Sequence, residues 1–287
     1  MFNDIDDDSL VSLLKRISTK DDGITVAINI LSLLIHGKEK EEISKKIALL
    51  GQELIVSVTS SIFFKRDQRL DYEISEILKY CFVDEIDQKN ALLVAQNIFS
   101  ALVNSDLYTR DLDDTLGTLA STYPLIFLDT FFGESKKADD YIALSFTMNN
   151  LNSSLHPISL IENSIILQWC NSDPEVRQLT LASAITPYQF IEDEISWTPL
   201  AMDLIENSID PIAILEKLKR KFRPIFWGGS RATEMEQYIP LLLQLQNNVN
   251  YIITDWASKE KQKFQSEILA ERKFENEYEK NANERFE

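Results

Sequence analysis

The chain has 287 residues, 44% of them hydrophobic, and a formal net charge of −17. That is enough apolar material for one large core or two smaller ones. The acidic balance repels phosphate, so nucleic-acid binding is disfavoured as the main function, and basic protein surfaces suit it better. Seven glycines and eight prolines make about 5% of the chain, against roughly 12% in average usage. Sheet proteins need turn residues every ~8–12 positions, so a mostly helical chain is expected. Cys81 and Cys170 are the only cysteines. They predict neither a disulfide framework nor a zinc site, and a reduced, cytoplasmic setting. Met1 to Asp8 is acidic, unlike a secretory leader. The longest apolar stretch, Ile24 to Ile35, carries Thr25, Asn29 and Ser32 and is too short to span a bilayer, so no membrane contact is expected.

Acidic Asp6 to Asp8 precede Leu10, Leu13, Leu14 and Ile17 and predict a first helix. Asp21, Asp22 and Gly23 break it. Val26, Ile30, Leu33 and Leu34 read as the inward stripe of the second helix, with Gly37 as its C-cap. Ile43, Ile47, Leu50, Leu54 and Val58 predict a long amphipathic helix. Its β-branched end, Ile55 to Phe64, also fits a strand, but no partner strand is near. Ile74, Ile77, Leu78 and Cys81 form the next stripe, with Cys81 a small core hydrophobe. Leu92, Ala95, Phe99, Leu102 and Val103 form another, and Leu112, Leu116 and Leu119 a further one. Tyr123-Pro124 opens an apolar helix ended by Gly133. Tyr141, Leu144, Met148 and Leu151 follow, then Ile158, Ile161, Ile165 and Trp169.

The chain is organised around the stretch His156 to Phe190, read as helix, tight turn and helix. Asp173 is expected to cap the second helix with its carboxylate and Pro174 to occupy its first position. Val176, Leu179, Ala182 and Ile185 continue inward. Asp210-Pro211 repeats the device 37 positions later, and Asn247-Asn248 begins 37 positions after that. A fixed period of this length predicts a helical-repeat array. Trp197-Thr198-Pro199 opens a helix through Leu204 and Ile205. Leu215, Leu218 and Phe222 point inward in the next, which Pro224 ends. Thr233 to Glu236 matches a capping box. Val249, Ile252, Ile253 and Trp256 read as the last core stripe, so Trp169 and Trp256 are both expected inside. The expected divisions are an N-terminal helical part at 1–135, helical repeats at 136–257 and a charged C-terminal helix at 258–287. That last segment holds seven Lys or Arg, eight Asp or Glu, and neither Gly nor Pro.

The turn Asp173-Pro174-Glu175-Val176-Arg177 between two helices resembles the HEAT repeat. The second half also resembles the helical C-terminal region of large bacterial proteins often encoded near anti-phage systems. The matching residues are Trp169, Asp173 to Arg177, Trp197-Thr198-Pro199-Leu200-Ala201, Phe222-Arg223-Pro224, Trp227-Gly228-Gly229-Ser230, Trp256-Ala257, Glu271-Arg272 and Glu284-Arg285-Phe286-Glu287. They cover Ser121 to Glu287. Members of that group tend to carry a polar residue and a single Gly before the Ser, whereas here Gly228 and Gly229 are adjacent. The resemblance implies an all-α, HEAT-like α-solenoid that recognises or scaffolds another protein, with any enzymatic part on a separate partner encoded nearby.

No residue constellation carries chemistry, so no catalytic, cofactor-binding or metal-ligating residue is assigned. His36 and His156 lack ligands at metal spacing. Gly228-Gly229-Ser230-Arg231 could cradle a phosphate, but no strand precedes it and no Lys follows, so a turn beside Trp227 is expected. Glu192, Asp193 and Glu194 point different ways if helical and read as a solvated edge. Lys217, Lys219, Arg220, Lys221 and Arg223 end a helix, where cations suit the carbonyls, with Glu216 paired to Arg220; they also form a basic patch open to a partner's acids. In the charged tail, Glu260–Lys263 supports the helix. The like-charged pairs Glu267–Glu271 and Glu271–Glu275 weaken it. Phe274, Tyr278, Arg285 and Phe286 are therefore expected to grip a partner chain or fold back on the body. The resulting expectation is a non-enzymatic binding or scaffold subunit in a bacterial defence or stress complex. The alternative is an acidic inhibitor, of antitoxin or immunity type, that blocks a basic active site.

Overall fold

Apolar periodicity becomes helix along most of the computed structural model, which describes residues 6–20, 22–61, 67–82, 87–104, 107–133, 156–192, 194–224 and 227–284. The stripe at 141–151, the end of the 55–64 stretch, and Asp193, Arg285 and Phe286 lie outside the described residues. Two compact units divide between Ser172 and Asp173; the sequence predicts divisions after residues 135 and 257. No described helix is long and apolar enough to cross a membrane.

The first unit contains α1 (Asp7–Ser18), α2 (Gly23–Ile35), α3 (Lys45–Thr59), α4 (Gln68–Cys81), α5 (Gln88–Asn104), α6 (Asp113–Thr122), α7 (Pro124–Phe132) and α8 (Asn163–Ser172). Local chemistry starts several of them. Asp6 accepts the Ser9 N–H at 3.0 Å, with Asp7 and Asp8 in the first turn of α1 and Lys15 and Arg16 in its last. This arrangement suits the helix dipole at both ends. Ser44 caps α3 and Asp67 caps α4 in the same manner. The helices then stack in two rows. α2, α4 and α6 are successive neighbours, as are α1, α3, α5, α7 and α8, and cross-contacts such as α1 with α2, α3 with α4 and α6 with α7 join the rows.

Close approach sets the seam between α3 and α4. A Cβ at Gly51 would lie 2.8 Å from Cys81 Sγ, so only glycine lets the two helices meet at that depth. Cys81 is fully buried, and burial pushes its thiol up to about 12, which makes it the inert packing residue expected. Between α4 and α6 the join is polar. Asp71 on α4 accepts the N–H groups of Asp114 and Thr115, each at 3.0 Å. It thereby caps α6 from another helix, because Leu112 in the local cap position offers no side-chain acceptor.

Several inward stripes turn out differently. In α2 the buried face is Ala27, Ile28, Leu31 and Ile35, and Val26 and Leu33 are exposed. The helix is apolar on nearly every side, so periodicity could not choose the face. In α5 the buried set is Ala91, Val94, Ala95, Ile98 and Leu102, with Leu92 and Val103 outside. The stripes of α3, α4 and α6 are buried as expected apart from half-buried Ile43, and Trp169 is buried with its indole N–H donating to Asp129 at 2.8 Å.

The second unit contains α9 (Pro174–Ala184), a hairpin of β1 (Tyr188–Ile191) and β2 (Glu194–Trp197), α10 (Pro199–Asn207), α11 (Pro211–Leu218), α12 (Arg231–Glu236), α13 (Ile239–Leu245) and α14 (Tyr251–Glu284). Pro174 opens α9, but Asp173 makes no side-chain cap, whereas Asp210 does cap α11, accepting from Ala213 at 3.0 Å. Thr198 caps α10. The hairpin replaces the expected continuation of helix to Phe190. Its antiparallel register pairs Tyr188 with Trp197 and Ile191 with Glu194. The third expected repeat start at Asn247-Asn248 is displaced, since α14 begins at Tyr251, after Asn248 and Asn250 have bonded the N–H groups of Asn250 and Ile252. α9 neighbours α11, and α11 neighbours α14.

The core of this unit centres on Phe222. Its ring stacks on Tyr238 at 5.6 Å and meets Trp197 at 5.7 Å and Phe264 at 6.3 Å edge-on. Trp197 is buried, with its indole N–H donating to Leu241 O at 2.9 Å. The expected stripe 249–256 is corrected: Val249 and Ile252 are exposed and Trp256 is only half-buried, leaving Ile253 inside. Trp256 instead donates to Glu216 at 2.9 Å.

Candidate interaction surface on the second unit

Helix α14 has 34 residues and is therefore about 51 Å long. Ile253, Ala257, Glu260, Phe264 and Ile268 are its buried side chains, spaced so that one stripe faces the unit. A row of acids runs along the same side, and each is answered from the body. Glu260 receives Lys219 at 2.9 Å, Glu267 receives Arg223 at 2.5 Å, and Glu271 receives Arg231 at 3.1 Å. Glu275 accepts Ser230 Oγ at 2.7 Å and the Ala232 N–H at 3.1 Å. Arg272 reaches back to Glu236 at 2.7 Å. The Glu267, Glu271 and Glu275 series, which looks self-repelling along the helix, is thus stabilised by cations and a helix N-terminus that lie about forty residues away in sequence.

This seam also accounts for two of the five cations of the basic patch. Lys219 is held by both Glu216 and Glu260, and Arg223 by Glu267. The Glu216 partner is therefore Lys219 and not Arg220. Lys221 turns inward and donates to the carbonyls of Ala182 at 3.5 Å, Ser183 at 2.9 Å and Ile185. It plugs the C-terminal end of α9, and burial pushes its ammonium down to about 7. Lys217 is half-buried and Arg220 exposed; among the described residues these two make no ion pair. The cations cluster in sequence because the turn that ends α11 touches α9 and α14 at once.

The glycine turn resolves in the same way. Gly229 has φ +82° and open space around it. Ser230 Oγ accepts the Thr233 N–H at 3.1 Å, so Ser230 caps α12 in place of the expected Thr233 to Glu236 box. The helix start that resembles a phosphate cradle is occupied by the Glu275 carboxylate. Trp227 lies beside it, with the Arg231 guanidinium 5.0 Å over its ring. Between α12 and α14 is an open groove of about 360 Å³ lined by Arg223, Arg231, Met235, Glu267, Glu271 and Phe274. Its two cations are matched by its two acids.

Beyond Glu275 the side chains of the helix turn to the surface. Every side chain from Asn276 to Asn281 is exposed. Phe274 is 64% and Tyr278 69% exposed. They sit four positions apart and flank the stripe by which α14 holds its own unit.

The remaining sequence candidates fall elsewhere. His36 Nδ1 lies 3.0 Å from Glu76 Oε2 and 3.4 Å from Tyr72 OH, linking α2 and α4. Glu73 next to it receives Asn29 and Arg69. This polar ladder escaped sequence reading because its members are up to 44 positions apart. His156 Nδ1 accepts the Ile158 N–H at 3.2 Å and caps the short turn Pro157–Leu160. Glu192 lies in the hairpin turn at φ +50°, and Glu194 follows the turn as the first residue of β2. No group of three or more His, Cys, Asp or Glu arranged to hold a metal ion occurs among the described residues. Comparison with protein-family models, with curated proteins and with solved structures finds no match to this chain.

Proposed function

We propose that the chain is a non-enzymatic, HEAT-like α-solenoid subunit that binds another protein, and that the distal part of α14 belongs to the contact. Two rows of successive helices in the first unit, and the α9, α11 and α14 succession in the second, support the array reading. The observation that carries the binding reading is the exposed pair Phe274 and Tyr278 at the end of the seam by which α14 docks on its unit. Aromatic side chains on a rigid helix are efficient anchors, since they bury much area for little lost rotamer freedom. A helix packed into a partner's groove is a common recognition mode. The resemblance of the second half to proteins encoded near anti-phage systems is what favours reading this role within a bacterial defence or stress complex.

The test uses the protein encoded beside this chain, co-purified and titrated by calorimetry against wild type and the Phe274→Ala/Tyr278→Ala double variant. Aromatic anchors of this kind cost about 2 kcal/mol or more together when truncated, so a loss of at least ~30-fold in affinity is expected. Unchanged affinity in the double variant removes α14 from the interface. Measuring the partner's activity free and bound separates a scaffold from an acidic inhibitor.

A further inference from the structure

Among the described residues, the hairpin has one covered edge and one bare edge. Thr198 donates its N–H to Pro187 O at 2.9 Å, so 187 and 198 are a hydrogen-bonded pair. Bonded and non-bonded pairs alternate along an antiparallel ladder. In the observed register, 189–196 and 191–194 are then bonded, and 188–197 and 190–195 are not. The main-chain N–H and C=O of Tyr188 and Phe190 therefore face away from β2, and those of Ile195 and Trp197 face away from β1. On the β2 side the edge is closed by α13, where Gln244 donates to Ile195 O at 2.9 Å. On the β1 side no described residue hydrogen-bonds the outward groups of Tyr188 or Phe190. Phe190 and Ile191 are each 56% exposed there, and Glu192 in the turn and Glu194 just after it are exposed as well.

We propose that β1 accepts an extended, cationic segment of a partner protein as a third strand. Pairing with Tyr188 and Phe190 satisfies the outward main-chain groups, as in other strand-addition complexes. Alternate apolar residues of the incoming segment lie beside Tyr188 and Phe190, and a Lys or Arg beyond them meets Glu192 and Glu194. The net charge of −17 favours a basic segment over a second copy of this chain, which it repels. This deepens the protein-binding reading by stating what the partner presents, and it rests on main-chain groups remote in sequence from the α14 aromatics.

The probe is a labelled synthetic peptide of alternating valine and threonine flanked by lysines, followed by fluorescence anisotropy and by amide exchange. Wild type is expected to bind it, more weakly as salt rises, with the Tyr188 and Phe190 amides gaining protection and the Gln189 amide protected throughout. Phe190→Pro removes only an outward donor, a change edge strands tolerate. It should lower affinity at least tenfold with an unchanged melting temperature. Glu194→Lys should weaken binding and flatten its salt dependence, whereas Phe274→Ala/Tyr278→Ala should leave peptide binding intact. Equal binding by Phe190→Pro, no binding by wild type, or protection appearing elsewhere overturns the proposal. So does a concentration-dependent dimer abolished by Phe190→Pro, which assigns the edge to a second copy. Should Phe190→Pro fail to fold, the exchange pattern of wild type decides alone.

Discussion

Replacing Lys221 by methionine tests how the second unit closes the end of α9. The Nζ group is buried against the carbonyls of Ala182, Ser183 and Ile185, and burial pushes the ammonium down to about 7 from 10.5. In the unfolded chain the lysine keeps its proton up to about 10.5, its reference value. Between about pH 7 and 10.5 the unfolded state therefore binds more protons, and the Lys221 contribution makes stability rise with pH; below about 7 both states are protonated and the slope vanishes. A full proton corresponds to about 1.36 kcal/mol per pH unit. From pH 7 to pH 9 the gain is thus at most roughly 2.7 kcal/mol, an upper bound because the carbonyls favour the ammonium and oppose burial. Lys221→Met fits the same space but leaves those carbonyls without a donor, costing about 1–3 kcal/mol. Its penalty relative to wild type should be larger at pH 9 than at pH 6. Urea unfolding of both proteins at pH 6, 7, 8 and 9 measures this directly, since every other titrating group cancels in the difference. Parallel stability curves would show that the carbonyls fully compensate burial, and would refute the reasoning.

Two further substitutions test the packing. Asp113 is half-buried near Asp71, Asp114 and Asp111, and burial first, then those charges, push it up to about 6 from 3.8. A raised folded value means its stabilising contribution is complete below about 3.8 and lost as pH rises through about 6. Asp113→Asn should therefore raise the melting temperature at pH 7.5 relative to wild type and lose that advantage at pH 4; an advantage equal at both would deny the shift. Trp197→Ala, in the ring cluster with Phe222, should cost about 3–5 kcal/mol by chemical unfolding. Half-exposed Trp256→Ala loses chiefly its bond to Glu216 and should cost about 1 kcal/mol. A reversed order would mean that the two tryptophans have exchanged roles.

Helical class and many helix starts were legible in the sequence because their causes are local. Asp6, Ser44, Thr198 and Asp210 each bond the N–H three positions beyond, and Pro174, Pro199 and Pro211 stand where no N–H is needed. Strong amphipathic stripes such as Ile74, Ile77, Leu78 and Cys81 gave their buried face directly. α2 shows where this ends: a helix apolar nearly all round has no preferred side until α1, α3 and α4 choose one, so Val26 and Leu33 came out and Ala27 and Leu31 went in. The hairpin was hidden for a different reason. Its turn holds Glu192 at positive φ where Gly or Asn is usual, and its strands are stabilised by Trp197 and Gln244 contacts with α13 more than by intrinsic turn preference. Charge told least. Glu267, Glu271 and Glu275 destabilise an isolated helix, and only folding brings Arg223, Arg231 and the start of α12 against them. Coulomb and hydrogen-bond energies act across a few ångströms of space, and a chain position forty residues away carries no local trace of them.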